Sequence, residues 1–250
     1  MKISFVSPAY NEEKNIGRCL QTILQQIAEN HCEAEVIVVD NNSTDRTVEM
    51  AQSYKGVRVI EEKRKGPNFA RQTGFLISTG DLVANVDADS MPAPGWLKRV
   101  ISEFESNQNL VGLSGPYVYY DLPWTLNFFV HIQYYVAYCV YLLHNFVLRI
   151  NSMATFGNLI IRRDALQKLG GYDLSIVFYG DDTDIALRLF SLGKVKFSLN
   201  LKMFSSGRRL QSEGIMKAEA KYIINYFWIT YKKRPFTKSY SDIRISNAHK

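Results

Sequence analysis

Residues 81–89 read DLVANVDAD, a short apolar run closed by two carboxylates one residue apart, Asp87 and Asp89. The run is too short for a helix and is apolar on both faces apart from Asn85, so Asp81–Val86 reads as a strand buried on both sides. Three upstream segments repeat the pattern. Lys2–Ser7 is a short buried strand stopped by Pro8, Glu35–Val39 is rich in β-branched residues and ends in Asp40-Asn41-Asn42, and Val57–Ile60 is a third. Helical periodicity fills the intervals. Ile16, Leu20, Ile23, Leu24 and Ile27 stripe one face of a helix that Asn11 is expected to cap, with Glu12 and Glu13 in its first turn. Ser43-Thr44-Asp45 starts a second helix running to Tyr54, Pro67–Ser78 is a third with proline at its first turn, and Pro92–Phe104 a fourth behind Ser90. Such alternation predicts an α/β fold built on a mostly parallel sheet covered on both faces. Ligands bind these sheets beyond the carboxyl ends of the strands. The polar clusters Pro8–Glu12, Asp40–Asp45 and Asp87–Asp89 fall there.

The second half is less regular. Leu122–Leu148 has no charged residue and carries Trp124, Phe128, Phe129, Tyr134, Tyr135, Tyr138, Tyr141 and Phe146. Its length would allow a membrane span. The polar load of Asn127, His131, Gln133, His144 and Asn145 argues against one. A helix buried against the domain or lying at a membrane interface is expected instead, with His131 and His144 as core or interface residues rather than metal ligands. Gly157–Ile161 then reads as a strand, Gly180-Asp181-Asp182-Thr183-Asp184 opens an apolar helix, Lys194–Phe204 alternates as a strand, and Ser205–Arg209 reads as a mobile polar loop. The segment 213–238 interleaves Lys217, Lys221, Lys232, Lys233, Arg234 and Lys238 with aromatic residues. It reads either as an amphipathic helix packed on the domain or as a surface attracted to anionic lipid.

Composition narrows the class. Of 250 residues 46% are hydrophobic and 22% charged, which excludes disorder, collagen and a pure coiled coil. Thirty basic residues against 24 acidic ones, mixed along most of the chain, give +6 and do not make a nucleic-acid face. Cys19, Cys32 and Cys139 form neither a CxxC nor a Cys/His pattern, which predicts no disulfide framework or zinc site and fits a reducing compartment. The opening apolar run is cut at Pro8, too short for a signal-peptide core, so a cytoplasmic chain is expected, at the inner face of the membrane if 122–148 or 213–238 touches lipid.

Two carboxylates at a strand end are hard oxygen ligands suited to Mg²⁺ or Mn²⁺, which keep open positions for phosphate oxygens. A lone Asp-x-Asp is weak, since a helix cap beside a solvated acid produces it too. Its company is more specific. PAYNE at Pro8–Glu12, VDNNSTD at Val39–Asp45, Gly66 with Asn68, Ala70, Arg71 and Gly74, and GDDTD at Gly180–Asp184 recur in an order and spacing that resembles the family 2 glycosyltransferases of the GT-A fold. The resemblance covers about residues 3 to 210. It implies a single catalytic domain over 1–210 with a Rossmann-like sheet, a nucleotide-binding half over 1–90 and an acceptor half over 91–210, followed by a basic helix and tail over 211–250.

The resemblance further implies metal-dependent transfer of a sugar from a nucleotide diphosphate donor, UDP-linked in many relatives, to an acceptor hydroxyl with inversion. Pro8, Ala9, Tyr10 and Glu12 match the loop holding base and ribose, and Asp40, with Asn42 beside it, matches the acid at the base. Gly66 and Arg71 lie on the nucleotide's far side. Asp87 looks like the ribose-side acid and Asp89, across Ala88, like the metal ligand. Gly157 and Asn158 match a segment bordering the acceptor. Asp182 matches the catalytic base, with Asp181 standing where the family has glutamate, so that either acid remains a candidate; Asp184 reads as a first-turn acid of the helix. Arg208 and Arg209 are candidates to close over the diphosphate. No Gln-x-x-Arg-Trp motif follows, only IALRLFSLG, which points to single transfer rather than processive synthesis. A sugar nucleotidyltransferase would show a glycine-rich phosphate loop near the amino terminus, a dehydrogenase GxGxxG after a strand. A non-catalytic nucleotide-sugar module remains the other alternative. The enzymatic reading requires Asp89 and Asp182 to face one cavity.

Overall fold

A computed structural model describes residues 1–237. Its centre is a seven-stranded sheet of β1 (Ile3–Ala9), β2 (Ala34–Asp40), β3 (Val57–Glu61), β4 (Leu82–Val86), β6 (Leu110–Ser114), β8 (Asn158–Arg162) and β9 (Lys194–Phe197), in the spatial order β3-β2-β1-β4-β8-β6-β9. Every pairing is parallel except the two that β8 makes with β4 and β6. A three-stranded sheet of β5 (Met91–Pro92), β10 (Met203–Ser205) and β7 (Tyr117–Tyr119) lies beyond it.

Alternation along the buried strands feeds two cores. Ile3 and Phe5 of β1, Val36 and Val38 of β2, and Leu82, Ala84 and Val86 of β4 pack on α1 (Ile16–Glu29), α2 (Thr47–Gln52) and α4 (Trp96–Ser106). On the other face Val6, Ile37, Val39 and Val83 pack on α3 (Pro67–Ile77), α6 (Arg163–Lys168) and α7 (Asp181–Phe190). Both faces of each central strand are therefore dry, which is why the strands read as apolar runs.

Several boundaries differ from expectation. Pro8 lies inside β1, paired with Val39, because pairing to β4 ends at Val6 and a missing N–H costs nothing on that side. Asn11 does not cap α1; it adopts φ 52° and its Oδ1 accepts the Thr44 N–H at 2.8 Å, so its polar side chain ties the β1 loop to the β2 loop. The helix starts four residues later, at Ile16, and neither Glu12 nor Glu13 lies in its first turn. Lys194–Phe204 is two strands in two sheets, broken where Leu201 N–H turns back to Ser198 O. Ser205–Arg209 is no mobile loop: Arg208 opens α8 (Arg208–Glu213), which runs into α9 (Ile215–Lys232).

The aromatic segment is α5 (Trp124–Leu143), closed by a π-helical turn at His144–Leu148. One side of it packs against the domain, with Tyr134 and Tyr141 on Phe197, and the other stays open. Only Val130, Tyr141 and His144 are buried along it, while Trp124 is 80% and Phe146 74% exposed. Lys238 and the rest of the basic tail lie outside the described residues.

Candidate active site

The loops leaving β1, β2 and β4 converge on a cleft of about 160 Å³. Pro8, Ala9, Tyr10 and Glu12 form one wall, Gly66 and Arg71 another, Asp87, Ala88 and Asp89 the floor, and Arg208 and Arg209 the lid. Parallel strands end together, and that geometry gathers segments remote in sequence.

Asp87 leaves the end of β4 with both oxygens engaged. Its Oδ1 accepts Arg71 Nη2 at 2.9 Å and its Oδ2 accepts Tyr117 Oη at 3.4 Å. Gly157 makes room for it: a Cβ there would lie 2.3 Å from Asp87 Oδ2, and the Gly157 N–H donates to Tyr117 Oη at 2.8 Å. Arg71 is 5% exposed, stands 3.9 Å over the Phe156 ring, and extends Nη1 to Asp181 Oδ2 at 3.3 Å. The strand-end acid and the acids at the start of α7 are thus joined through one guanidinium. The turn into α7 needs Gly180, at φ 89°, where a Cβ would also collide with Ile229 Cδ1 of α9 at 2.1 Å.

Asp181 and Asp182 differ in their partners. Asp181 Oδ1 accepts the Asp182 N–H at 3.0 Å while Oδ2 faces Arg71. Asp182 holds Thr183 N–H at 2.7 Å and its hydroxyl at 3.3 Å, both on Oδ1, leaving Oδ2 without a hydrogen-bond partner among the described residues. Burial pushes both carboxyls above the ordinary aspartate range; for Asp181 the Arg71 charge opposes the rise and the Asp182 charge adds to it. Tyr222 of α9 lines the cleft that Asp89 floors, and α9 packs on α7, where its Ile229 crowds Gly180 just before the two acids. Neither Asp181 nor Asp182 is among the residues lining the cleft; Arg71, which does line it, joins Asp181 to Asp87 of the floor.

Asp89 faces Arg208, whose Nη2 lies 3.0 Å from its Oδ2 and also pairs with the buried Glu12. Burial works against this guanidinium's charge, but Asp89 and Glu12 outweigh it and push its pKa further up. Arg209 pairs with Glu213 at 2.8 Å and stacks on Phe178 at 4.2 Å. Among the described residues no cluster of three acid, histidine or cysteine side chains could enclose a cation. A Mg²⁺ or Mn²⁺ that takes most of its ligands from substrate phosphates and water needs only one or two carboxylates. Asp89 fits that demand, with Glu12 beside it, whereas Asp87 is spent on Arg71 and Tyr117.

Four expected donor or acceptor residues lie outside the cleft lining, Gly157 among them, packed against Asp87. Asp40 is buried behind the cleft with both carboxylate oxygens on the Ser43 N–H at 3.2 and 3.3 Å, bracing the turn. Asn42 turns outward, its Nδ2 on Lys63 O at 2.8 Å, because its φ of 64° reverses the chain. Their neighbour Asn41 takes the place in the wall and accepts the Gly66 N–H at 2.8 Å. Asn158 is fully buried, accepting Trp96 Nε1 at 2.8 Å and donating to Leu201 O at 2.7 Å, so it holds the core and not an acceptor. Lys65, Tyr117, Tyr119, Phe178 and Tyr222 line the cleft without having been singled out in the sequence. Lys65, 5.3 Å over the Tyr10 ring, had a signal in its place just before Gly66.

Residues 4–170 match the sequence model of glycosyl transferase family 2. The chain is 30% identical over 184 residues to the glycosyltransferase AglE of Haloferax volcanii, covering 72% of this chain and 58% of that protein. It is 29% identical over 117 residues to the undecaprenyl-phosphate 4-deoxy-4-formamido-L-arabinose transferase of Proteus mirabilis, covering 44% and 36%. The chain thus spans between about a third and three-fifths of these relatives' lengths. In fold it is similar to the mannosyltransferase PcManGT of Pyrobaculum calidifontis, solved with GDP-Man and Mn²⁺, with a TM-score of 0.69 at 19% identity over 99% of this chain and 69% of that one. It is also similar to S. aureus TarS 1-349 in complex with UDP-GlcNAc, with a TM-score of 0.62 at 18% identity over 83% of this chain and 59% of that one.

Proposed function

The chain belongs to glycosyl transferase family 2 and is a glycosyltransferase of GT-A fold, and we propose that it moves a sugar from a nucleotide diphosphate donor to an acceptor hydroxyl with inversion, with the help of a divalent cation. The observation carrying this reading is the linkage of the cleft to the acids of α7: Asp89 lines the cleft beside the cationic Arg208, Arg71 in its wall bridges Asp87 and Asp181, and the adjoining Asp182 keeps one carboxylate oxygen without a hydrogen-bond partner among the described residues. Nucleotide-sugar donors accord with GDP-Man and UDP-GlcNAc in the two similar structures.

In this scheme Pro8–Tyr10, Asn41 and Gly66 border the nucleoside. Asp89 and the donor phosphates would hold Mg²⁺ or Mn²⁺, which when bound offsets the charge growing on the departing diphosphate. Arg208 and Arg209 add fixed positive charge to the same end. Asp182 takes the proton of the acceptor hydroxyl, and that hydroxyl's oxygen forms the new bond to the anomeric carbon as the bond to the diphosphate breaks on the opposite face of the sugar. The bonding electrons leave with the nucleoside diphosphate, so one proton and one leaving group balance the step. Asp181, tied to Arg71, positions this acid rather than replacing it. The relative named as an undecaprenyl-phosphate sugar transferase supports an acceptor carried on a lipid.

The test is a screen of UDP- and GDP-sugars with Mn²⁺ and with chelator, reading nucleoside diphosphate release and the anomeric configuration of any product. Release from at least one donor, dependent on the cation and giving the inverted anomer, is expected. Binding without release from any donor, with or without acceptors, would leave a nucleotide-sugar binding module.

A further inference from the structure

Helices α5 and α9 lie side by side and run the same way. Leu126 packs in the cluster of Ile215 and Ala218 near their starts, Gln133 bonds Glu219 midway, and at their ends His144 is flanked by Tyr226 at 3.1 Å and Tyr231 at 3.2 Å. The start and the middle of α5 are fixed to the domain. Asn127 holds the backbone of Tyr119 and Leu122, and Tyr134 stacks on Phe197 of β9 with centroids 6.3 Å apart. Although Trp124–Leu148 is long and apolar enough to cross a membrane, this side-on bonding means a crossing would drag β7, β9 and α9 into hydrocarbon.

What remains is a two-helix face open to solvent. Most of the exposed large apolar side chains among the described residues sit on it, Trp124, Phe128, Phe129, Phe146, Met216 and Tyr231 among them. Apolar patches of this extent mark interaction surfaces rather than ordinary surface. The charges at its far end have one sign. Arg149 follows the π-helical turn, and Lys232, Lys233 and Arg234 follow Tyr231, which itself touches His144. The sole acid within α9, Glu219, is turned inward onto Gln133.

We infer that α5, its terminal turn and α9 form one docking face that lies flat in the headgroup region of an anionic bilayer. Aromatic side chains favour that depth, and lysine and arginine beside them meet the lipid phosphates. Charge complementarity commits the face to lipid: a second copy of this chain would set Arg149 and Lys232–Arg234 against another cationic end. The inference deepens the glycosyltransferase reading and, for its consequence, rests on it. The inner side of α9 supplies Tyr222 to the cleft and packs Ile229 against Gly180 at the start of α7, so an acceptor held in the bilayer lies beside the helix that borders the base.

The test is cosedimentation of the full chain with vesicles of phosphatidylcholine and phosphatidylglycerol in equal parts, and with phosphatidylcholine alone. Binding is expected to the mixed vesicles and to fall with added salt. The double variant Phe146→Ser, Val147→Ser should weaken binding to both vesicle types. Lys232→Gln with Lys233→Gln should cost about fivefold per charge on the mixed vesicles only. Neither pair touches the cleft, so donor hydrolysis without vesicles should stay at the wild-type rate, and its failure would count against the enzyme reading rather than the membrane one. No wild-type binding to mixed vesicles would overturn the inference. So would a wild-type dimer in sedimentation velocity that Phe146→Ser, Val147→Ser converts to monomer, which would show a second copy covering the face.

Discussion

Asp87 and Asp181 are held on the two ends of one guanidinium: Arg71 Nη2 lies 2.9 Å from the first and Nη1 3.3 Å from the second. One is the first residue after β4 and the other the first residue of α7. The ion bridge ties the floor of the cleft to the start of α7, where Asp182 follows Asp181. Like charges that would otherwise repel are kept at a fixed separation, and the face of Phe156 covers the guanidinium that separates them.

Removing that strut leaves two carboxylates facing a void. Arg71→Ala is expected to destabilise the fold by about 3 kcal/mol or more, the usual scale when one member of a buried pair is deleted. Arg71→Lys should rescue little, because a point charge cannot reach both acids in the fork geometry. Urea midpoints of the variants check this. Adding Asp181→Asn to Arg71→Ala should recover part of the loss; an unchanged midpoint would show that the bridge is not what Arg71 provides.

Asp182→Asn is expected to lower transfer by at least about a hundredfold, the usual span of a positioned general base. Nucleotide affinity should change little, since the residue meets no part of the floor. Asp181→Asn should weaken turnover less, because its role is to hold Asp182 and Arg71. Steady-state kinetics beside calorimetric nucleotide binding separate the two. Near-normal turnover in Asp182→Asn with a dead Asp181→Asn would reverse the assignment.

Burial raises the Asp182 pKa above its ordinary value of 3.8, which couples activity to stability in opposite directions. The base works only when ionised, so turnover should rise with pH through the raised value. The folded state binds the proton more tightly than the unfolded one, so between the two values the folded chain carries more protons and stability falls as pH rises. Asp182→Asn removes that penalty. Its melting temperature should match the wild type near pH 4, exceed it increasingly up to about pH 6 and by a constant margin above that, even as activity vanishes. A melting difference already constant below about pH 6 would contradict the raised value.

How much of this was legible depended on range. The central strands showed because burial on both faces leaves only apolar residues, and Asp87 and Asp89 showed because acids at such strand ends have few structural reasons to pair. Asn42 and Asn158 misled because a polar side chain near a motif looks the same whether it lines a cleft or braces a core; Asn158 spends both ends on Trp96 and Leu201. Tyr117 and Tyr119 were silent because a three-residue strand in a second sheet has no periodicity to read. Apolarity in 122–148 was plain, but which neighbours would cover it depended on contacts with β9 and α9 that no local pattern encodes.

Arg208 stands at Asp89 in the place where a cation bound to that carboxylate would compete with it. Its guanidinium also holds Glu12, so two acids are neutralised together. Arg208→Ala should therefore strengthen binding of Mn²⁺ alone by about tenfold, equivalent to roughly 1.4 kcal/mol. The same change should weaken binding of UDP or GDP without metal, because the diphosphate loses a fixed positive partner. Asp89→Ala should abolish the part of nucleotide binding that depends on Mn²⁺ and leave the rest. Titration calorimetry of metal and nucleotide, separately and together, reads all three. Unchanged affinity for Mn²⁺ in Arg208→Ala would mean that the cation does not meet Asp89 where Arg208 does.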